Sequence, residues 1–235
     1  MIALKMLTRW AAIALVAGSV WVAGCGPRPP QPRTESFAQG GTMGGARVAD
    51  VPEQAGGGFD FYLLNLSWSP EFCATHPGSE ECASHPGFIV HGLWPQSVDG
   101  SYPEHCGSRP GPRDPYAWSD VMPNRGLLRH EWETHGTCTA YDADAYFGIV
   151  RKAFREVQVP ASFVATDHEV RMTPEAIVDA FAAANPTFPA GSIALSCGNN
   201  RLTAVEVCMT TDLRPMACSG VRSCRANVVK ITPRM

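Results

Sequence analysis

Nine cysteines constrain the fold of this 235-residue chain more than any other feature. One of them, Cys25, follows an apolar segment near the N-terminus. The other eight lie further along the chain: Cys73, Cys82, Cys106, Cys138, Cys197, Cys208, Cys218 and Cys224. An even number of cysteines in an exported chain predicts a disulfide framework and an oxidising compartment. Their spacing lacks the paired C-x-x-C of a structural zinc site, so a metal site is the weaker explanation.

The first 25 residues have the layout of an export signal. Lys5 and Arg9 lie near the start, the apolar run "AAIALVAGSVWVAG" follows, and small residues precede Cys25. The apolar run is too short for a stable membrane-spanning helix. We therefore predict that residues 1–24 are a signal peptide, which is removed from the mature protein.

The segment "VAGC" at 22–25 resembles the lipobox of bacterial lipoproteins, in which the cysteine is acylated and becomes the new N-terminus. A lipid on Cys25 would also account for an odd thiol, which is unusual in an exported protein. The alternative is an ordinary signal peptide that is cut nearby, with Cys25 incidental. We predict that Cys25 is lipidated and that the protein is exported to the periplasm or cell envelope, anchored to a bacterial membrane.

Residues 25–58 are rich in proline and then in glycine, with few large apolar side chains. This composition predicts a flexible tether that leads to one folded domain over residues 59–235. The domain carries 14 Lys and Arg residues against 19 Asp and Glu residues, a net charge of −5. A surface of this sign does not capture polyanions non-specifically, so any recognition of phosphate must be local.

Hydrophobic periodicity and cap residues outline the secondary structure of this domain. Asn124 is a favourable N-cap, and Thr173 is another because a proline follows it. In chain order, the pattern predicts strands over 59–68 and 87–94, a loop over 95–123, helices over 124–136, 142–157 and 173–185, and strands over 192–197, 201–210 and 224–231. Strands first, helices next and strands last indicate an α+β fold, a mainly antiparallel sheet packed with several helices.

Two short segments bring histidine close to tryptophan and glycine: "FIVHGLWPQ" at 88–96 and "RHEWETHGTC" at 129–138. Two imidazoles can serve as general acid and general base near neutral pH, because their ordinary pKa is about 6.5. Cleavage of a phosphodiester by the 2′-hydroxyl of RNA needs one proton removed and another delivered, and it needs no metal. Trp94 and Tyr102 would offer flat faces for stacking of a base.

Two other interpretations of these histidines are weaker. A zinc peptidase needs H-E-x-x-H, with histidines four residues apart, whereas His130 and His135 are five apart and lie roughly 140° apart around a regular helix. An isolated histidine is often only a polar residue in a core or at a helix end. We accept that description for four others: His76, His85, His105 and His168.

The segments "FIVHGLWP" and "HEWETHGTC" resemble the two signature segments of the T2 family of secreted ribonucleases, and "FDFYLLNLSWSPEFC" resembles the opening strand of that family. By order of elements and cysteines the resemblance extends over essentially all of 59–235. It implies a T2-type ribonuclease fold and a metal-independent endoribonuclease that needs no cofactor. The expected substrate is single-stranded RNA, cut with low base specificity to 2′,3′-cyclic phosphate and then 3′-phosphate ends, while DNA is inert.

The resemblance also assigns roles. It implies that His135 takes the proton from the 2′-hydroxyl and that His91 protonates the departing 5′-oxygen. It places His130 on a phosphate oxygen, and Glu131 would organise charge around the pentacoordinate state. Trp94 matches the aromatic residue of the family's base site, and the resemblance suggests Tyr102 as another.

One position departs from the family pattern. Thr134 stands where the family usually has lysine, and Arg125 or Arg129 is a candidate to supply the missing charge. Loss of one preorganised donor costs roughly 3–4 kcal/mol in other enzymes. The alternative function is therefore a catalytically weakened member of the same fold that binds RNA or a protein partner.

The resemblance implies a disulfide pattern as well, although eight cysteines allow 105 pairings by arithmetic alone. The implied pairs are Cys73–Cys82, Cys106–Cys138, Cys197–Cys224 and Cys208–Cys218. The second pair would hold the two histidine-bearing segments in a fixed relation. We expect the protein to be a monomer.

Overall fold

The computed structural model describes residues 58–84, 87–164 and 167–234. The predicted signal peptide, Cys25 and all of the tether except Gly58 lie outside these ranges, as does His85. Within them, no helix is long and apolar enough to cross a membrane.

Strands and helices alternate irregularly along the domain. The strands are β1 (Phe61–Trp68), β2 (Phe88–Gln96), β3 (Val170–Met172), β4 (Ile193–Gly198), β5 (Arg201–Met209) and β6 (Val229–Ile231). The helices are α1 (Ser69–Thr75), α2 (Arg125–Thr134), α3 (Ala143–Arg155), α4 (Ala161–Val164) and α5 (Pro174–Ala184). Short 3₁₀ turns cover Glu80–Ser84, Pro115–Trp118 and Gly136–Cys138.

The strands form one sheet in the order β2-β1-β5-β6-β3, and β4, which is outside this order, also pairs with β5. Every pairing in the described part of the sheet is antiparallel except β5 with β6, which are parallel. The predicted α+β class with a mainly antiparallel sheet is therefore confirmed.

The cap residues account for where the three longest helices begin. Asn124, Asp142 and Thr173 each accept a hydrogen bond from a backbone N–H in the first turn of the helix that follows. The helices predicted over 124–136, 142–157 and 173–185 are confirmed, each one to two residues shorter at either end. The side-chain caps satisfy N–H groups that have no partner within the helix.

The predicted strand over 224–231 is wrong for its first half, because only Val229–Ile231 pairs with neighbouring strands. Cys224 is instead held beside β4 by its disulfide to Cys197 and by its N–H, which donates to the carbonyl of Leu195. Ser223 and Cys224 therefore lie beside β4 without forming a strand.

Alternation along β1 divides the sheet into two different faces. Tyr62, Leu64 and Leu66 belong to the main core, which the helices cover and which includes Trp132 and Phe181. Phe61 and Leu63 point to the other face, where Cys208 packs on them. This second face is less covered, and it carries polar groups of the candidate site.

Four disulfides are formed, between the same pairs that the resemblance implied: Cys73–Cys82, Cys106–Cys138, Cys197–Cys224 and Cys208–Cys218. Their Cα–Cα distances lie between 4.8 and 5.7 Å, within the normal range.

Candidate active site

A β-bulge places His91 on the open side of β2. Asn65 of β1 lies opposite Gly92 and Leu66 lies opposite Val90, so His91 is an extra residue in β2. Bulges redirect side chains and are common beside active sites. Val90 is buried in the core, whereas the His91 side chain is 41% exposed.

The end of α2 positions His135. Its N–H donates to the carbonyl of Glu131 in the last turn, and a 3₁₀ turn follows at once. Gly136 is required at the start of that turn, because a Cβ there would lie 2.3 Å from the Trp132 ring. The two turns hold His135 in a buried position, and only 9% of the residue is exposed.

Arg109 reinforces the turn that follows His135. Its guanidinium donates to the carbonyls of Thr137, Thr139 and Tyr141 at 2.9, 2.7 and 2.5 Å. It also lies 5.1 Å from the centroid of the Trp132 ring. A cation at the carbonyl end of a helix satisfies exposed acceptors and is electrostatically favourable.

Trp94 joins the two histidine-bearing segments. Its indole N–H donates to Oε2 of Glu131 at 2.7 Å, and its ring centroid lies 5.5 Å from that of His91 and 5.4 Å from that of His135. Oε1 of the same carboxylate lies 3.4 Å from Nε2 of His91, placed to pair with a protonated ring. A Cβ on Gly92 would lie 2.1 Å from the indole nitrogen and 2.2 Å from the carboxylate, so only glycine fits there.

Cavities open on both sides of Trp94. One of about 410 Å³ is lined by Leu63, Trp94, Gln96, Tyr102, Glu104, His105, His130, Thr134 and His135. A groove of about 690 Å³ runs along the second face of the sheet and touches Trp94 and His91. The predicted base-stacking residues Trp94 and Tyr102 thus share a cavity with His135, while His91 faces the groove beyond the indole.

Burial lowers the pKa of His135 below its ordinary value, because an imidazolium loses solvation there. The carboxylates of Glu131 and Glu104 oppose this effect, and the positive charges of His130 and His91 add to it. A neutral His135 is the form that can accept a proton. Its Nδ1 is buried without a hydrogen-bond partner, which leaves Nε2 as the nitrogen able to reach the cavity.

The predicted compensation for the lysine missing at Thr134 is not found. Thr134 Oγ1 lies 3.4 Å from Nδ1 of His130 and brings no charge. Arg125 donates to Glu80 at 2.9 Å and to the hydroxyl of Tyr116 at 2.6 Å, at the opposite end of α2. The lining of the 410 Å³ cavity contains no lysine or arginine among the described residues. Arg129 instead lines a separate cavity, with Trp132 and Glu133.

The sequence analysis missed three polar residues of the cavity, Gln96, Glu104 and His105, and the apolar Leu63. His105 was assigned no role, and it lines the same cavity as His130 and His135. The sequence held a signal for these residues, because Cys106 was expected to pair with Cys138. That disulfide brings the residues before Cys106 next to the histidine-bearing segment 129–138.

The histidines of the "HEWETH" segment show no sign of a metal centre. Among the described residues, no group of three or more His, Cys, Asp or Glu side chains is arranged to hold a metal ion.

An α+β, disulfide-bonded domain that brings two histidines and one glutamate around one tryptophan has the groups that a nuclease acting by acid–base catalysis needs. The sequence matches the model of the ribonuclease T2 family over residues 59–218, and the chain belongs to that family.

Individual relatives match over shorter regions. A ribonuclease of Aeromonas hydrophila is 47% identical over 85 residues, 35% of this chain and 39% of that protein. A probable ribonuclease of Haemophilus influenzae is 32% identical over 127 residues, 46% of this chain and 47% of that protein. The matched part of the chain thus spans less than half the length of either relative. The crystal structure of RNase NT in complex with 5′-AMP has the same fold, with TM-score 0.60 and 20% identity over 75% of this chain and 99% of that one.

Proposed function

We propose that residues 59–235 form a metal-independent endoribonuclease that cleaves single-stranded RNA with low base specificity. The observation that carries this proposal is that His91 and His135 both contact Trp94, while the Glu131 carboxylate accepts a hydrogen bond from Trp94 and lies 3.4 Å from His91. Membership of the ribonuclease T2 family supports it, as does the fold shared with RNase NT, a protein that was crystallised with the nucleotide 5′-AMP.

In the first step, the neutral imidazole of His135 removes the proton of the 2′-hydroxyl. The 2′-oxygen forms a bond to phosphorus, the bond from phosphorus to the 5′-oxygen breaks, and His91 donates its proton to that leaving oxygen. The products are a 2′,3′-cyclic phosphate and a free 5′-hydroxyl. In a slower second step the roles reverse: His91 removes a proton from water, whose oxygen bonds to phosphorus, the bond from phosphorus to the 2′-oxygen breaks, and His135 protonates that oxygen to leave a 3′-phosphate.

The remaining residues bind and organise the substrate. His130 holds a phosphoryl oxygen, and Glu131 fixes Trp94 while balancing the charge of a protonated His91. Trp94 and Tyr102 offer ring surface to a base in the 410 Å³ cavity that both line. Base contacts through ring faces tolerate any base, which is consistent with low specificity.

A second candidate function is a weakened member of the fold that binds RNA or a protein partner without efficient turnover. The observation that favours it is Thr134, a neutral residue at the family's lysine position, in a cavity whose described lining has neither lysine nor arginine.

Incubation of the purified domain with RNA and with DNA in EDTA separates the two candidates. We expect RNA fragments that end in 2′,3′-cyclic phosphate, and intact DNA, because DNA lacks the internal nucleophile. His91→Ala and His135→Ala should each abolish cleavage, whereas His168→Ala, at an exposed histidine paired with Asp167, serves as the matched control. Full activity in either active-site variant would show that the residue takes no part in the mechanism. Loss of activity in EDTA would indicate a metal-dependent mechanism instead.

We further propose that residues 1–24 are a signal peptide, that Cys25 is lipidated, and that residues 25–58 tether a monomeric domain to the membrane in the periplasm or cell envelope. The four disulfides support export, because such bonds persist in oxidising compartments. Incorporation of labelled palmitate into the full chain, and its loss in Cys25→Ser, tests the anchor. Size-exclusion chromatography of residues 59–235 tests the monomer.

A further inference from the structure

The 410 Å³ cavity that His130 and His135 line has no permanent cation among the described residues. Thr134 occupies the family's lysine position, and the 410 Å³ cavity is lined by histidines but by no described lysine or arginine. Cleavage builds negative charge on the phosphoryl oxygens, and a preorganised donor is needed to stabilise it. The domain as a whole is acidic, so a cation for this task must be local.

The backbone of His105 contacts Thr134, the position at which the family usually has lysine. Its N–H donates to the carbonyl of Thr134 at 2.7 Å. The next residue, Cys106, is bonded to Cys138, four residues beyond Thr134. This short stretch of loop is therefore fixed to the end of α2 at two consecutive residues.

His105 has a backbone conformation that the surrounding structure must impose. Its φ is 52°, in the left-handed region, which non-glycine residues adopt uncommonly. Backbone outliers of this kind cluster at ligand-binding sites. The residue is exposed to solvent and lines the same cavity as His130 and His135, so an incoming phosphate can reach it.

We propose that the imidazolium of His105 binds a non-bridging phosphate oxygen of the substrate and so replaces the lysine that Thr134 lacks. This role rests on the proposed ribonuclease function, since it concerns the phosphate of the same cleft. His105 is a phosphate-binding residue and transfers no proton to or from the reacting oxygens. The other charged or titratable groups that line the cavity with it are Glu104, His130, His135 and Tyr102.

A cycle of four proteins tests this proposal: the parent domain, His105→Asn, Thr134→Lys and the double variant. Asparagine is chosen because it tolerates a positive φ and removes the cation while keeping the backbone. His168→Asn is the control for loss of an exposed histidine elsewhere. Calorimetry gives the Kd for adenosine 3′-monophosphate, with adenosine as the ligand that lacks the phosphate.

We expect His105→Asn to weaken binding of adenosine 3′-monophosphate roughly tenfold, the loss of one hydrogen bond to a charged group, and to leave adenosine unaffected. In the Thr134→Lys background the same change should have less than about a threefold effect, because the ammonium already occupies the phosphate site. Equal losses in both backgrounds, losses that extend to adenosine, or no loss at all would overturn the proposal.

Turnover of a dinucleoside monophosphate by the same four proteins separates this inference from the proposed function. Absence of turnover in both the parent and Thr134→Lys contradicts the ribonuclease proposal, whereas the binding cycle still decides the role of His105. Where turnover is present, kcat should follow the same pattern as the affinity for the phosphate.

Discussion

His91 and His135 both contact Trp94, but their surroundings differ. His91 is 41% exposed and lies 3.4 Å from a buried carboxylate oxygen of Glu131, a neighbour that complements an imidazolium. His135 is 9% exposed, and burial lowers its pKa. A pair of like groups in unlike environments is the usual basis for dividing acid and base roles. This contrast favours His135 as base and His91 as acid.

The lowered pKa of His135 predicts the acid limb of the pH–rate profile. The base must be neutral, so kcat/KM should rise as pH increases through this pKa, with a midpoint below the ordinary value of 6.5. Glu131→Gln removes a charge that raises the pKa of His135 but keeps an oxygen to accept the Trp94 bond. The acid limb of this variant should move to lower pH, and its maximal rate should fall. Cleavage of a dinucleoside monophosphate measured from pH 4 to 8 gives both values.

A limb that moves to higher pH in Glu131→Gln would contradict the assignment of His135 as base. An acid limb with the same midpoint in the parent and in Glu131→Gln would show that a group other than His135 controls the rise of kcat/KM with pH.

Restoring the family's charge is a second test at the residue scale. Thr134→Lys should raise kcat on RNA, because the ammonium would stabilise charge on the phosphoryl oxygens. The gain should not exceed the roughly 100- to 1,000-fold effect of a single transition-state donor, and it should be smaller if another cation already binds the phosphate. Thr134→Met is the matched control, with similar length and no charge. A rise of equal size in both variants would attribute the gain to packing.

The sequence motifs predicted His91, Trp94, Glu131 and His135 as site residues, and the structure brings all four together. The motifs did not predict His105, because that residue belongs to a loop without periodicity and is brought to the site by its backbone hydrogen bond to Thr134 and by the adjacent disulfide. Contacts between distant segments leave no local pattern in a sequence.

At the scale of elements, the N-cap residues Asn124 and Thr173 predicted where α2 and α5 begin, because capping is a local interaction, whereas α3 was predicted from the spacing of its apolar residues. Helix α1 and strand β3 were not predicted. Helix α1 starts directly where β1 ends, with Pro70 in its first turn and no side-chain cap, so no loop signal separates the two. Strand β3 is three residues long, and its pairing with β6 defines it.

The β-bulge in β2 also escapes sequence analysis, yet Gly92 provides a test of the geometry that it creates. Gly92→Ala places a Cβ within 2.2 Å of both partners of the Trp94–Glu131 hydrogen bond. We expect this hydrogen bond to break, the domain to lose about 1–3 kcal/mol, and kcat to fall by roughly 100-fold or more. Urea denaturation and RNA cleavage measure the two effects.

Gly148→Ala is the matched glycine control. Its Cβ would meet nothing within 4 Å on the exposed side of α3, so activity should not change and stability should rise by up to about 1 kcal/mol. Full activity in Gly92→Ala would show that the contact between Trp94 and Glu131 is dispensable.

At the scale of the whole molecule, the order of the predicted elements indicated the α+β fold class, but the sequence did not predict the order of the strands in the sheet. β5 pairs with β1, β4 and β6, and these partners come from both ends of the domain. Register between distant strands depends on packing in three dimensions, which a pattern along one strand does not contain. The acidic surface is equally a property of the whole domain, and it makes local charge decisive for binding RNA.

The disulfide between Cys106 and Cys138 links the loop of His105 to the turn that follows His135, so its loss should affect activity more than stability alone explains. It closes a loop of 32 residues, and Cys197–Cys224 closes one of 27. In the chain-entropy model, loss of the first bridge costs about 3.7 kcal/mol and loss of the second about 3.6 kcal/mol.

We expect the double serine variant at Cys106 and Cys138 to lose much of its kcat at a temperature where circular dichroism shows it fully folded. The variant at Cys197 and Cys224 should lose a similar amount of stability without a comparable loss of kcat, because its bridge joins neither of the two histidine-bearing segments. Equal losses of kcat in the two variants would mean that the bridge only stabilises the fold, and that α2 and its neighbours hold the active site in place without it.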